Sequence, residues 1–307
     1  MNIENIVLLV VYNHRYDQNI DKVERLYRDK FKSIYHIIPF YDGEHENVLA
    51  VYESSFYFSG YVAQAKKQLD NRGVFFRHYF IIADDMVLNP IIDEKSYAEI
   101  FTLDDQTSFL PGLSDFAHID FFSWDRAFEA LSYNPKLRGV EIQQILPEIP
   151  VAIEKFISRG LSYDVCGTFS LQSLRIFKHP LRTLRALSII FLALNRKGTL
   201  RLDYPLVSGY ADIFIVSGNV MDQFCTYAGA FAATNLFVEI AVPTAMVLSA
   251  NKLVQEVDLK LNGRALWSKD DLSVLDKYQY KINNLLDDFP SSYLYLHPIK
   301  LSKWSFD

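Results

Sequence analysis

The sequence predicts an α/β fold: an open, mostly parallel sheet with a helical insertion in the middle third and a C-terminal region completing the same domain. Three observations predict it. The first ninety residues alternate apolar β-type runs with helical periodicity, the fourth run ends in two adjacent aspartates, and the strong pattern returns after residue 205. The 307 residues suit one large domain or a core with a sizeable subdomain, and 50% hydrophobic with 22% charged residues describes a folding globular chain.

Ile6 to Val11 is an unbroken β-branched and leucine run, as expected of a strand covered on both faces. Asp17 to Lys32 places Ile20, Val23, Leu26, Tyr27 and Phe31 at helical spacing behind an aspartate that can cap. Ile34 to Phe40 is a second strand ending at the turn pair Asp42-Gly43, and Val48 to Tyr52 a short third. Helix is predicted from Phe58 to Leu69, and a fourth strand from Phe75 to Ala83 delivers Asp84-Asp85 at its carboxyl end. Ligands of such sheets bind at the carboxyl ends of the strands.

Residues 91 to 204, punctuated by prolines, read as the helical insertion between an α/β half at 1–90 and a C-terminal part of the same domain at 205–307. In the last part, Ile213 to Ser217 is a strand, Met221 to Ala233 and Pro243 to Val257 are helices, and Tyr293 to Lys300 is a short strand or extended tail. No repeat or low-complexity linker interrupts the chain.

Composition excludes several chemistries. The twelve glycines never stand in a G-x-G relation, so the dinucleotide fingerprint, the P-loop and the G-x-S-x-G elbow are absent. Cys166 and Cys225 form no disulfide framework or zinc spacing, and a reducing, cytoplasmic setting fits them. A formal charge of −6 argues against nucleic acid as a partner of the whole molecule. The N-terminus lacks the basic region of a secretory signal, and no apolar stretch has the length of a membrane span.

The remaining chemistry rests on dispersed carboxylates and single histidines. Adjacent acids also occur at Asp104-Asp105, Asp270-Asp271 and Asp287-Asp288, but only Asp84-Asp85 leaves a buried apolar strand, where two charges repel unless solvent or a cation compensates. Hard oxygens there suit Mg²⁺ or Mn²⁺, and equally a solvated turn of capping aspartates. Tyr12, Asn13 and Asp42, with Asp84, stand at strand ends where a sheet of this class binds its ligand, although Asn13 and Asp42 are also ordinary loop starters. Asp212 in Ser208-Gly209-Tyr210-Ala211-Asp212 either binds a ligand hydroxyl or closes a turn.

In this setting the sequence resembles the GT-A glycosyltransferases. Ala83-Asp84-Asp85-Met86 is similar to their D-x-D motif, Asn235-Leu236-Phe237-Val238-Glu239 to the acidic residue opening a later helix, and Tyr295-Leu296-His297-Pro298 to a C-terminal histidine that returns to the metal. The resemblance covers roughly residues 1–90 and 205–300, with the aspartates adjacent and no acid beside Glu239. It implies a GT-A-like (Rossmann-like) sheet, a nucleotide-diphosphate sugar donor, a glycan or lipid-linked acceptor and a Mn²⁺ or Mg²⁺ ion. The ion would be held by Asp84, Asp85 and His297. Glu239 would be the base that deprotonates the acceptor, with Asp212 second in rank. Taken by themselves, Glu239 also reads as a helix cap and His297 as a hydrogen-bonded tail residue.

Two rivals share these residues: a metal-dependent nucleotidyltransferase, and a non-catalytic module that binds glycans or membrane surfaces. The second draws on a basic segment. Between Asp164 and Asp203 there is no acid, while Arg175, Lys178, Arg182, Arg185, Arg196, Lys197 and Arg201 carry seven positive charges. On a helical wheel Arg175, Lys178, Arg182 and Arg185 lie opposite Phe177, Leu181, Leu184, Leu187 and Phe191, with Pro180 dividing two helices. Residues 171–201 therefore suit either an anionic surface on the cytoplasmic face of a membrane or a core-facing helix with a solvated basic side.

Overall fold

The computed structural model describes residues 3–121, 124, 126–137, 139–163, 180–197 and 201–306. The chain begins β1 (Ile3–Val11), α1 (Ile20–Tyr27), β2 (Ile34–Pro39), β3 (Val48–Val51), α2 (Ser59–Asn71) and β4 (Phe75–Ala83). The middle third contributes β5 (Val87–Leu88), α3 (Tyr97–Ile100), β6 (Thr107–Phe109), β7 (Ser114–Asp115), α4 (Ala127–Ser132), α5 (Val140–Ile145), α6 (Ile149–Ile157) and α7 (Pro180–Lys197). The last third runs β8 (Val207–Ser208), β9 (Ile213–Ser217), α8 (Met221–Ala233), α9 (Val238–Ser249), β10 (Lys252–Val254), β11 (Asn262–Ala265), α10 (Lys269–Ser273), α11 (Ile282–Asp287) and β12 (Tyr293–His297).

Among the described residues seven strands form one sheet in the order β10-β6-β9-β4-β1-β2-β3. Strands β4, β1, β2 and β3 are parallel, β9 runs antiparallel to both β4 and β6, and β10 is parallel to β6. This is the open, mostly parallel α/β sheet predicted. The middle third is more than helical, since it supplies β6 to this sheet and β7 to a small pair with β8.

Two hydrophobic cores cover the two faces, and the pleat divides each strand between them. Val7, Leu9 and Val11 of β1 enter one core, while Ile6, Leu8 and Val10 enter the other. The same alternation sends Tyr79 and Ile81 of β4 one way and Phe80 and Ile82 the other. Both sides of these strands are therefore apolar, and the first polar residues after them, at the strand ends, line a crevice.

Two predicted helices start elsewhere. Helix α1 begins at Ile20 because Asp17–Asn19 form a separate 3-10 turn, and Asp17 does not cap it. Helix α9 begins five residues before Pro243 and ends at Ser249, and residues predicted to extend it form β10 instead. A proline inside a helix cannot bond the carbonyl four residues back. Here that carbonyl belongs to Glu239, and it accepts the backbone N–H of Gly209 at 2.9 Å instead. No helix among the described residues is long and apolar enough to cross a membrane.

Candidate active site

The carboxyl end of β4 is tied to its neighbours through the backbone. Asp84 N–H donates to Val11 of β1 at 2.9 Å, and Ala83 N–H to the carbonyl of Asp212, just before β9, also at 2.9 Å. Directly after the aspartate pair, β5 runs antiparallel to β12 with Leu88 opposite Tyr295 and Val87 opposite Leu296. That register returns the end of β12 to the end of β4. His297 Nε2 consequently lies 2.8 Å from Asp85 Oδ1 and its Nδ1 3.9 Å from Asp212 Oδ2. The Tyr210 hydroxyl sits 2.5 Å from the same Nδ1, and Asn19 Nδ2 donates to Asp84 Oδ2 at 3.2 Å. Glu239, in the first turn of α9, feels the charge of Asp212.

Crowding of buried carboxylates makes this site electrostatically unusual. Burial and the neighbouring Asp85 push Asp84 up to about 7, against the Asn19 amide. Burial and Asp212 push Glu239 up to about 7, with Arg126 opposing. Asp212 is also raised, by burial and Asp85, while His297 pulls it down. Burial works against a charged His297, yet Asp85, Asp212 and Asp84 outweigh it and hold the imidazole above its ordinary value. One histidine thus serves as counter-charge to several acids.

The sequence-predicted residues divide into two groups. Asp84, Asp85, Asp212 and His297 converge, and Glu239 adjoins them. Tyr12 is buried, its hydroxyl 2.9 Å from His36 Nδ1, so it supports the crevice from behind. Asn13 follows β1 at the rim, and Asp42 is an exposed residue paired with Arg15, which also reaches Asp17 at 3.2 Å.

Several neighbours carry no motif. Asn19 and Tyr210 hold Asp84 and His297. Trp267, 66% exposed, sets its ring edge-on to both Tyr210 and His297. Arg126 opposes Glu239 from between Phe237 and Phe56, at 4.4 and 5.0 Å from their ring centres, and bonds Glu129 at 2.6 Å. Tyr210 was discoverable in principle, two residues before Asp212; nothing local distinguishes the others.

Among the described residues no three acidic, histidine or cysteine side chains form a ready-made metal cage. The donor set nonetheless fits a divalent cation. Buried oxygens of Asp17 and Asn19 lack hydrogen-bond partners, Asp85 Oδ1 has only the His297 ring nitrogen against it, and the mutual repulsion of Asp84 and Asp85 is what a cation relieves. Ions of the Mg²⁺ and Mn²⁺ kind take one or two carboxylates and complete their shell with phosphate and water.

No protein-family model and no curated protein matches the chain. Among solved structures it is similar to core-mannan synthase A from Aspergillus fumigatus in its Mn/GDP form, at 13% identity and a TM-score of 0.32 over 83% of this chain and 73% of that one. A likeness at this level bears on no residue of the site.

Proposed function

We propose that the protein is a glycosyltransferase that moves a sugar from a nucleotide-diphosphate donor to an acceptor hydroxyl with the help of Mn²⁺ or Mg²⁺. The observation that carries the reading is the return of His297 onto Asp85 at the end of β4, with Asp84, Asp212 and Glu239 around them. Four distant segments of chain meet there for no evident structural gain, since like charges buried together cost stability.

In this reading Asp85, Asp84 and His297 hold the cation, which supplies charge neutralisation for the departing diphosphate. Tyr210 and Asn19 keep the ligands oriented. The nucleoside lies toward Asn13 and Asp42 at the ends of β1 and β2. Glu239 takes the proton of the acceptor hydroxyl as its oxygen bonds to the anomeric carbon and the bond from that carbon to the diphosphate breaks. A base with a value near 7 is matched to this task at neutral pH. Asp212, the second candidate, is buried against His297 and better suited to orienting it. The acceptor is a glycan or a lipid-linked hydroxyl, as in cell-surface glycan synthesis at the cytoplasmic face of a membrane.

The test is nucleoside diphosphate release from a panel of nucleotide sugars with Mn²⁺. Asp85→Ala should abolish the metal dependence and most of the turnover. Pyrophosphate as the product would favour a nucleotidyltransferase, and absence of nucleotide binding with and without Mn²⁺ a non-catalytic module.

A further inference from the structure

Helix α7 turns an apolar face to solvent. Leu181, Leu184, Leu187, Phe191, Leu192 and Leu194 are between 43 and 82% exposed, whereas Ala186 is buried and Ile189 and Ile190 pack against the core. At 100° per residue the six lie within one arc of about 160° opposite Ala186, shared with the exposed Ser188 and Asn195. The core-facing alternative for this segment is therefore reversed for its leucines: amphipathicity alone does not say which side is wet. Single exposed leucines need no explanation, but six large apolar side chains on one helix face mark an interaction surface.

Charge identifies the occupant. The stretch from 165 to 202 holds seven basic and no acidic residues in a protein of net charge −6, and exposed Arg185 borders the apolar arc. Arg175 and Lys178 lie outside the described residues, as do the side chains of Arg182, Arg196 and Lys197, so their part rests on sequence. A second copy docking through the same face would bring two basic stretches together, which like-charge repulsion disfavours. No described helix can span a bilayer. We infer that α7 lies flat on an anionic lipid bilayer, its leucines and Phe191 in the acyl boundary and Arg185 at the edge of the arc among the headgroups. This surface is independent of the sugar-transfer reading, and its test needs no donor.

The full chain is floated with vesicles of phosphatidylcholine, alone or mixed with phosphatidylglycerol. Binding should favour the mixed vesicles by roughly tenfold or more and weaken as salt is raised. Leu184→Asp with Phe191→Asp should keep the circular dichroism and melting temperature of the wild type and lose binding at least about tenfold. Arg185→Glu should weaken it severalfold. Should the double variant fold poorly, Leu184→Trp offers a second readout: its fluorescence shifts to the blue on mixed vesicles if the helix inserts. Failure of the folded wild type to bind mixed vesicles, binding indifferent to the double substitution, or a dimer that the substitution dissolves without vesicle binding would overturn the inference.

Discussion

At the scale of the residue, Glu239 makes the sharpest demands. Burial and Asp212 hold it near 7, and a general base must be ionised, so turnover should climb with pH to about 7 and level off above it. Glu239→Gln should lower kcat by about 10²–10⁴-fold while leaving nucleotide binding, measured by calorimetry, nearly unchanged. Stability moves the other way. A carboxyl whose folded value is raised above its ordinary 4.5 binds its proton more tightly when folded, so its contribution is present at low pH and is lost as pH rises through about 7. The glutamine variant should therefore match the wild type at low pH and exceed it at pH 8, by up to about 3 kcal/mol, in chemical denaturation. Tyr210→Phe removes only the hydroxyl against His297; it should raise the Mn²⁺ concentration needed for half-maximal turnover severalfold and change kcat little. The aspartate pair was visible in the sequence because charge following a doubly buried strand is chemically conspicuous. Asn19 was not, since its partner lies 65 residues away and only the fold introduces them, and Tyr210 was marked only by its nearness to Asp212, its partner His297 lying 87 residues on.

At the scale of the element, what was legible followed from burial. Strand β4 and helix α8 match the predicted residue ranges because their apolar runs have clear ends. Strand β9 was equally visible, but its antiparallel direction depends on a connection through the poorly patterned middle third. The start of α9 was hidden by Pro243, which ordinarily marks a helix boundary and here lies inside the helix. That proline has a consequence for the site: it frees the Glu239 carbonyl to accept Gly209 N–H, coupling α9 to the loop that carries Tyr210 and Asp212. A side chain at Gly209 has no room, since its Cβ would press on the Gly112 carbonyl oxygen and approach the Pro243 ring at 3.2 Å. Gly209→Ala should cost about 1–3 kcal/mol in unfolding experiments, with the loss of turnover exceeding the loss of folded protein because Glu239 and Asp212 are displaced together. Equal losses would mean the coupling is structural only.

At the scale of the whole molecule, charge is distributed by task. The basic stretch around α7 concentrates positive charge between residues 165 and 202, while at the site Asp84, Asp85 and Asp212 share one buried imidazole and Glu239 adjoins Asp212. Such a crevice repels a diphosphate until a cation is present, so metal and nucleotide should bind in an ordered or mutually reinforcing way. Thermal unfolding resolves this without turnover. Mn²⁺ alone should raise the melting temperature, by relieving carboxylate repulsion, and a nucleoside diphosphate should raise it further only when Mn²⁺ is present. At a hundredfold excess over Kd the linked stabilisation is about 2.7 kcal/mol, which for a chain of this size amounts to roughly 4 °C. Asp85→Asn should erase the Mn²⁺ increment and with it the nucleotide increment, and a chelator should do the same to the wild type. A melting temperature indifferent to Mn²⁺ in the wild type would make the four carboxylates a structural cluster and leave Asp85 and His297 as partners of each other alone.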